Sequence, residues 1–93
     1  MDIIDRPYAS TGMIDQLKAA ADMIVEKSDT EVYFGFCQPG TTATSEPYWS
    51  IMKITSSGTS QPITTSFKWA NGTCAYNLIW DNYESYTYLF KKF

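Results

Sequence analysis

Six aromatic residues fall among the fifteen from Tyr76 to Phe90, YNLIWDNYESYTYLF, and no other stretch constrains the fold of this chain as strongly. Each ring buries a large apolar area, so a 93-residue chain that gathers its rings in one segment is building its core there. The segment divides into two runs, YNLIW and YESYTYLF, on either side of Asp81 and Asn82, residue types whose side chains bend a chain by bonding their own backbone. Two strands around a turn are the expectation.

The length corresponds to a single domain, residues 1–93, small enough that its core must be efficient. An aromatic content of 16% provides for that and favours β structure over a helix bundle. Charged residues make up only 18% of the chain, a low value for an isolated monomer, which points to a surface partly covered by a partner. The net charge is −3 and the seven Lys and Arg are scattered, so no basic stripe is present to neutralise phosphates and nucleic-acid binding is not expected. The longest apolar run is far short of a bilayer span, and the acidic start MDIID lacks the pattern of a signal peptide, so neither a membrane segment nor a cleaved leader is expected.

Taken in order, Met1 to Tyr8 holds Ile3 and Ile4 among charges and then Pro7, which disfavours helix for Arg6; an extended arm is expected over residues 1–8. From Met13 to Lys27 the apolar residues Met13, Ile14, Leu17, Ala20, Ala21, Ile24 and Val25 recur at the spacing of one helical face, predicting a helix over 13–27 that stops at Ser28-Asp29. A β domain is expected over 31–93. Glu31 to Cys37 is apolar on both faces, as in a strand covered on two sides. Gln38 to Pro47 reads as a long loop, of a length that in compact folds often lies against something or serves function. Tyr48 to Thr55 places Trp49, Ile51 and Lys53 on one face and Tyr48, Ser50, Met52 and Ile54 on the other. Ile63 to Ala70 is the next strand, and Asn71-Gly72 predicts a type I′ hairpin in which Trp69 faces Cys74 and Phe67 faces Tyr76. The expected fold class is mainly β, with α+β the alternative: a small antiparallel sandwich or rolled sheet of about five strands with one N-terminal helix.

Catalytic signals are sparse. The chain has no His, which removes the commonest general base and the His-containing triads. Asp81 and Glu84 are the only close carboxylate pair among aromatics, an arrangement seen in glycosidases, yet a turn-capping residue and a solvent-facing strand residue account for them better. Neither Cys37 nor Cys74 has a base beside it in sequence. The two are expected as free buried thiols, a disulfide between them being the alternative, and two Cys without His make no ordinary zinc site. Asn71-Gly72-Thr73 matches a glycosylation acceptor, but the turn explains it as well. No catalytic, cofactor or metal residues are expected.

From Phe34 to Tyr88 the chain resembles a group of small proteins encoded by tailed bacteriophages. The matching positions are Gly35, Pro39, Gly40, Thr41, Ser45, Trp49, Ile51, Ile54, Ala70, Gly72, Asn77, Trp80, Asp81, Asn82, Ser85 and Tyr88, in the order PGT, W, an Ile-rich strand, a Gly turn and WDN. Tyr83 stands where that pattern has Arg. The resemblance implies a virion-associated structural role in head, neck or tail, without catalytic activity, with other virion proteins and copies of the chain itself as partners. Ile3, Ile4, Tyr8, Pro39, Thr41 and Tyr83 are the expected assembly contacts. The alternative is a β-rich recognition module that binds carbohydrate or peptide through surface aromatics.

Overall fold

A computed structural model of the chain describes residues 20–58 and 61–91. Five antiparallel strands, β1 (Met23–Ser28), β2 (Glu31–Cys37), β3 (Trp49–Ser56), β4 (Thr65–Ala70) and β5 (Tyr88–Leu89), form one sheet in the order of the sequence. The mainly β class and the strand number agree with the patterning. The arm, residues 1–8, and the start of the expected helix, residues 13–19, lie outside the described residues.

The helix expectation through Lys27 is corrected, because Met23–Ser28 is β1 and pairs with β2. Ile24 and Val25 fit one helical face together with Ala20 and Ala21, but they fit strand alternation equally well. Pairing settles the choice: Ile24 lies opposite Phe34 and Val25 opposite Tyr33, so the two branched side chains support opposite faces of the sheet. Asp29 and Thr30 then make the hairpin turn, with the Ser28 hydroxyl accepting the Thr30 N–H at 3.2 Å.

Both faces of the sheet are apolar. The first carries Val32, Phe34, Met52 and Ile54, all buried, flanked by Ile24, Phe36, Phe67 and Trp69. The second carries Tyr33, Trp49, Ile51 and Ala70, which are buried with Leu78 and Trp80 and flanked by Val25, Tyr83, Tyr86 and Tyr88. As expected, β2 is covered on two sides. Burying Phe34, Ile51 or Ile54 in full contributes roughly 1.5–3 kcal/mol each.

The C-terminal third departs from the expected hairpins. Asn71 (φ 58°) and Gly72 (φ 70°) do make the two-residue turn, closed by Thr73 N–H to Ala70 O at 3.4 Å. The strands beyond it differ: Trp69 lies opposite Leu89 and Ala70 opposite Tyr88, so the pairings of Trp69 with Cys74 and of Phe67 with Tyr76 are corrected. After the turn the chain leaves β4, and Leu78 exchanges two backbone hydrogen bonds with Trp49, each 2.9 Å, taking a place beside the start of β3. Trp80–Ser85 is a 3-10 segment, kinked at Asn82, where the aromatic pattern predicted a strand pair around a turn. Its physical reason is the burial of Trp80: a strand continuing along β4 would hold that ring at the sheet edge, whereas the crossing chain lays it on the second face.

Candidate functional site

Gly35 is the point at which Trp80 enters. A Cβ on Gly35 would stand 2.5 Å from Trp80 Cε3 and 3.1 Å from Trp49 Cε3, so the bare backbone of β2 is the floor on which both indoles rest. The Trp49 and Trp80 ring centroids are 5.7 Å apart. Tyr83 stacks on Trp80 at 5.1 Å with 21° between the planes, and Tyr33 meets Tyr83 edge-on at 4.9 Å and Tyr88 at 5.5 Å. Lys53 closes the row. Its Nζ stands 5.4 Å from the Tyr33 centroid and 5.7 Å from that of Tyr88, and pairs with Glu31 at 3.4 Å.

Two phenols tie this layer down. Tyr88 O–H donates to Tyr83 O at 2.6 Å, and Tyr86 Oη accepts the Ile79 N–H at 2.9 Å. Burial, followed by the neighbouring tyrosines, pushes the Tyr88 pKa far above the ordinary phenol value, so this donor stays protonated.

The aromatic layer also holds the loop between β2 and β3. Gln38-Pro39-Gly40-Thr41 is a turn with Pro at its second position and Gly40 at φ 91° in its third, closed by Thr41 N–H to Gln38 O at 3.1 Å; this is the type II geometry that Pro-Gly supports. Glu46 Oε1 then accepts the N–H groups of Thr42 (2.8 Å) and Ala43 (2.9 Å) and the Thr42 hydroxyl (3.3 Å). Those backbone donors hold the Glu46 carboxyl below the usual carboxylate range. From the second face, Trp49 Nε1–H donates to Ala43 O at 3.2 Å and Asp81 N–H to Thr44 O at 3.2 Å. The outer residues of this anchored loop, Pro39, Gly40, Thr42, Ala43, Ser45 and Pro47, are exposed.

The expected contact residues are placed unevenly. Pro39 is exposed at the tip of the turn, whereas Thr41 is half-buried with its hydroxyl turned inward. Tyr83 is half-buried with its ring engaged by Trp80 and Tyr33. Ile3, Ile4 and Tyr8 lie outside the described residues. Asp81 and Glu84 are both exposed, and Glu84 pairs with Lys27 at 3.0 Å. Cys37 and Cys74 are not joined by a disulfide; Cys37 is half-buried and Cys74 exposed, so the expectation that both are buried is corrected. Burial and the Asp22 carboxylate push the Cys37 thiol up, away from the reactive thiolate. Sequence patterning missed Glu46 and the Ala43 carbonyl; the available signal was that Glu46 is the only charged residue between Cys37 and Met52.

Among the described residues there is no pocket and no cluster of three or more metal-ligating side chains. No protein-family model, curated protein or solved structure matches the chain.

Proposed function

We propose that this chain is a non-enzymatic structural subunit of a tailed-bacteriophage particle that works through protein–protein contacts, with the β2–β3 loop as a principal contact surface. The observation that carries the reading is the way this loop is held. Glu46 ties the loop to itself, Trp49 and the Asp81 amide tie it to the body of the fold, and seven of residues 38–47 are exposed. A loop fixed before binding loses little conformational entropy on docking, so it suits a surface that repeatedly meets the same partner. Exposed Leu89 and Phe90 at the β5 edge add apolar area for a neighbour to cover.

Mass spectrometry of purified particles of a phage encoding this chain tests the role. Recovery of the chain at a fixed ratio to known particle proteins is expected, and its absence would remove the reading. The alternative, a carbohydrate- or peptide-recognition module, is supported by Tyr48 and Tyr76, which stay 43% and 45% exposed while the other tyrosines among the described residues are buried or half-buried. A glycan or peptide that quenches tyrosine fluorescence, with loss of the effect in a Tyr48→Ala or Tyr76→Ala variant, would favour that reading instead.

A further inference from the structure

Part of β4 lies at an open edge of the sheet, and two hydrogen bonds fix which of its backbone groups point there. Ser57 N–H donates to Thr64 O at 2.9 Å on the β3 side, and Asn71 N–H donates to Thr87 O at 2.7 Å on the other. Along an antiparallel strand the residues that bond to one neighbour alternate with those that bond to the opposite one. Thr64, Ser66 and Lys68 therefore turn their backbone groups toward β3, whereas Thr65, Phe67 and Trp69 turn theirs outward. β5 meets Trp69 with Leu89 and ends there. Among the described residues, no backbone group reaches the outward N–H and C=O of Thr65 and Phe67.

The surroundings of this edge carry one sign of charge. Between Glu46 and Asp81 the sequence has no carboxylate, and its only charged residues are Lys53 and Lys68. Lys53 pairs with Glu31. Lys68 instead extends over the Phe90 ring, its Nζ 5.0 Å from the centroid, with no carboxylate partner among the described residues. Lys91 follows just past β5 and is exposed, and Leu89 and Phe90 expose apolar surface beside it.

We propose that the outer edge of β4, Thr65–Lys68, takes up an extended acidic segment of a partner protein as an added strand. Thr65 and Phe67 supply the main-chain hydrogen bonds, which every polypeptide can answer; the side chains supply the selection. Ser66 and Lys68 lie on the second face, beside Thr55 and Lys53, and Phe67 lies on the first, beside Ile54. A carboxylate on the incoming strand opposite Ser66 or Lys68 is then within reach of the Lys68 ammonium, and an apolar residue opposite Phe67 extends the first face. Alternating acidic and apolar residues satisfy both. A second copy of β4 fits less well, because pairing two such edges brings their Lys68 and Lys91 side chains together. Lysine at a sheet edge discourages pairing of like with like, and the same charge favours an acidic strand. Neither the phage particle nor the β2–β3 loop enters this inference, which goes beyond the assembly role.

Titration of the full, isotopically labelled chain with a blocked Glu-Val-Glu-Val-Glu-Val peptide, followed by amide chemical shifts and hydrogen exchange, tests the edge. Saturable shifts and slowed exchange are expected at the Thr65 and Phe67 amides. The matching Lys-Val peptide should shift them less, and Lys68→Glu should reverse that preference. An equal response to both peptides, or none to either, would overturn the proposal. Slow exchange of Thr65 and Phe67 in the dilute chain alone would overturn it as well, by showing that the chain covers this edge itself. Protection that rises with protein concentration would assign the edge to a second copy and contradict the proposed partner.

Discussion

Trp80 lies on Gly35 so closely that a single methyl group on the glycine would intrude to 2.5 Å from the indole. This contact joins the central strand β2 to the C-terminal crossing segment, and through Trp49 and Asp81 to the loop between β2 and β3. Gly35→Ala should therefore lower stability by about 1–3 kcal/mol through overpacking, and Trp80→Ala by about 3–5 kcal/mol through the cavity it leaves. The two effects should not add. In a Trp80→Ala background the added methyl has room, so denaturant titration of both single variants and the double variant should give a clear coupling energy. Strict additivity would mean that the indole does not rest on Gly35.

At the β4 turn, Gly72 adopts φ 70°, a region costly for β-branched residues. Gly72→Val is expected to lower stability by about 1 kcal/mol or more, while Asn71→Gly should be close to neutral because glycine accepts the same backbone. Thermal melts of the two variants check this. Equal losses would point to a side-chain role for Asn71 instead of a backbone requirement.

Acid should loosen the β2–β3 loop before the sheet. The Glu46 carboxyl is held below its ordinary value of 4.5 by the Thr42 and Ala43 amides, so its contribution is present above that value and is lost as the pH falls through the depressed folded value. Amide chemical shifts of Thr42 and Ala43 followed from pH 7 to pH 2 should move together in the acid limb. Glu46→Gln should remove the titration while leaving one oxygen to accept. Shifts that stay flat throughout would place the carboxylate away from those amides.

Alkali acts on the opposite side of the layer. Burial raises the Tyr88 phenol above its ordinary value of 10.0, so its contribution is complete below pH 10 and declines as the unfolded chain ionises at higher pH. Stability measured between pH 9 and pH 11.5 should fall less steeply in Tyr88→Phe than in the parent chain. Identical slopes would contradict the buried donor to the Tyr83 carbonyl.

Where local pattern and final contacts coincide, the chain could be read directly. β2 and β3 alternate cleanly, Pro39-Gly40 and Asn71-Gly72 carry their turn geometry in their residue types, and Trp49 and Trp80 are buried as their size suggests. Elsewhere the decision was made at a distance. Ile24 and Val25 satisfy helical and strand spacing alike, and only Phe34 and Tyr33 across the ladder select the strand. Asn71-Gly72 announces a hairpin, yet the strand that returns beside β4 is the remote Tyr88–Leu89, because Trp80 finds its place over Gly35. The loop's exposed face was legible in Pro39; its fixation by Glu46 was not, because one carboxylate gathering neighbouring amides leaves no periodic trace.

Hydrogen–deuterium exchange of the β2–β3 loop, measured on the isolated chain and again on purified particles, bears most directly on a preorganised loop that serves assembly. In the isolated chain the amides of Thr42, Ala43 and Asp81 should already exchange slowly, and in the particle peptides spanning residues 38–48 should gain further protection. Rapid exchange of Thr42 and Ala43 in the free chain, or identical exchange in both states, would contradict it.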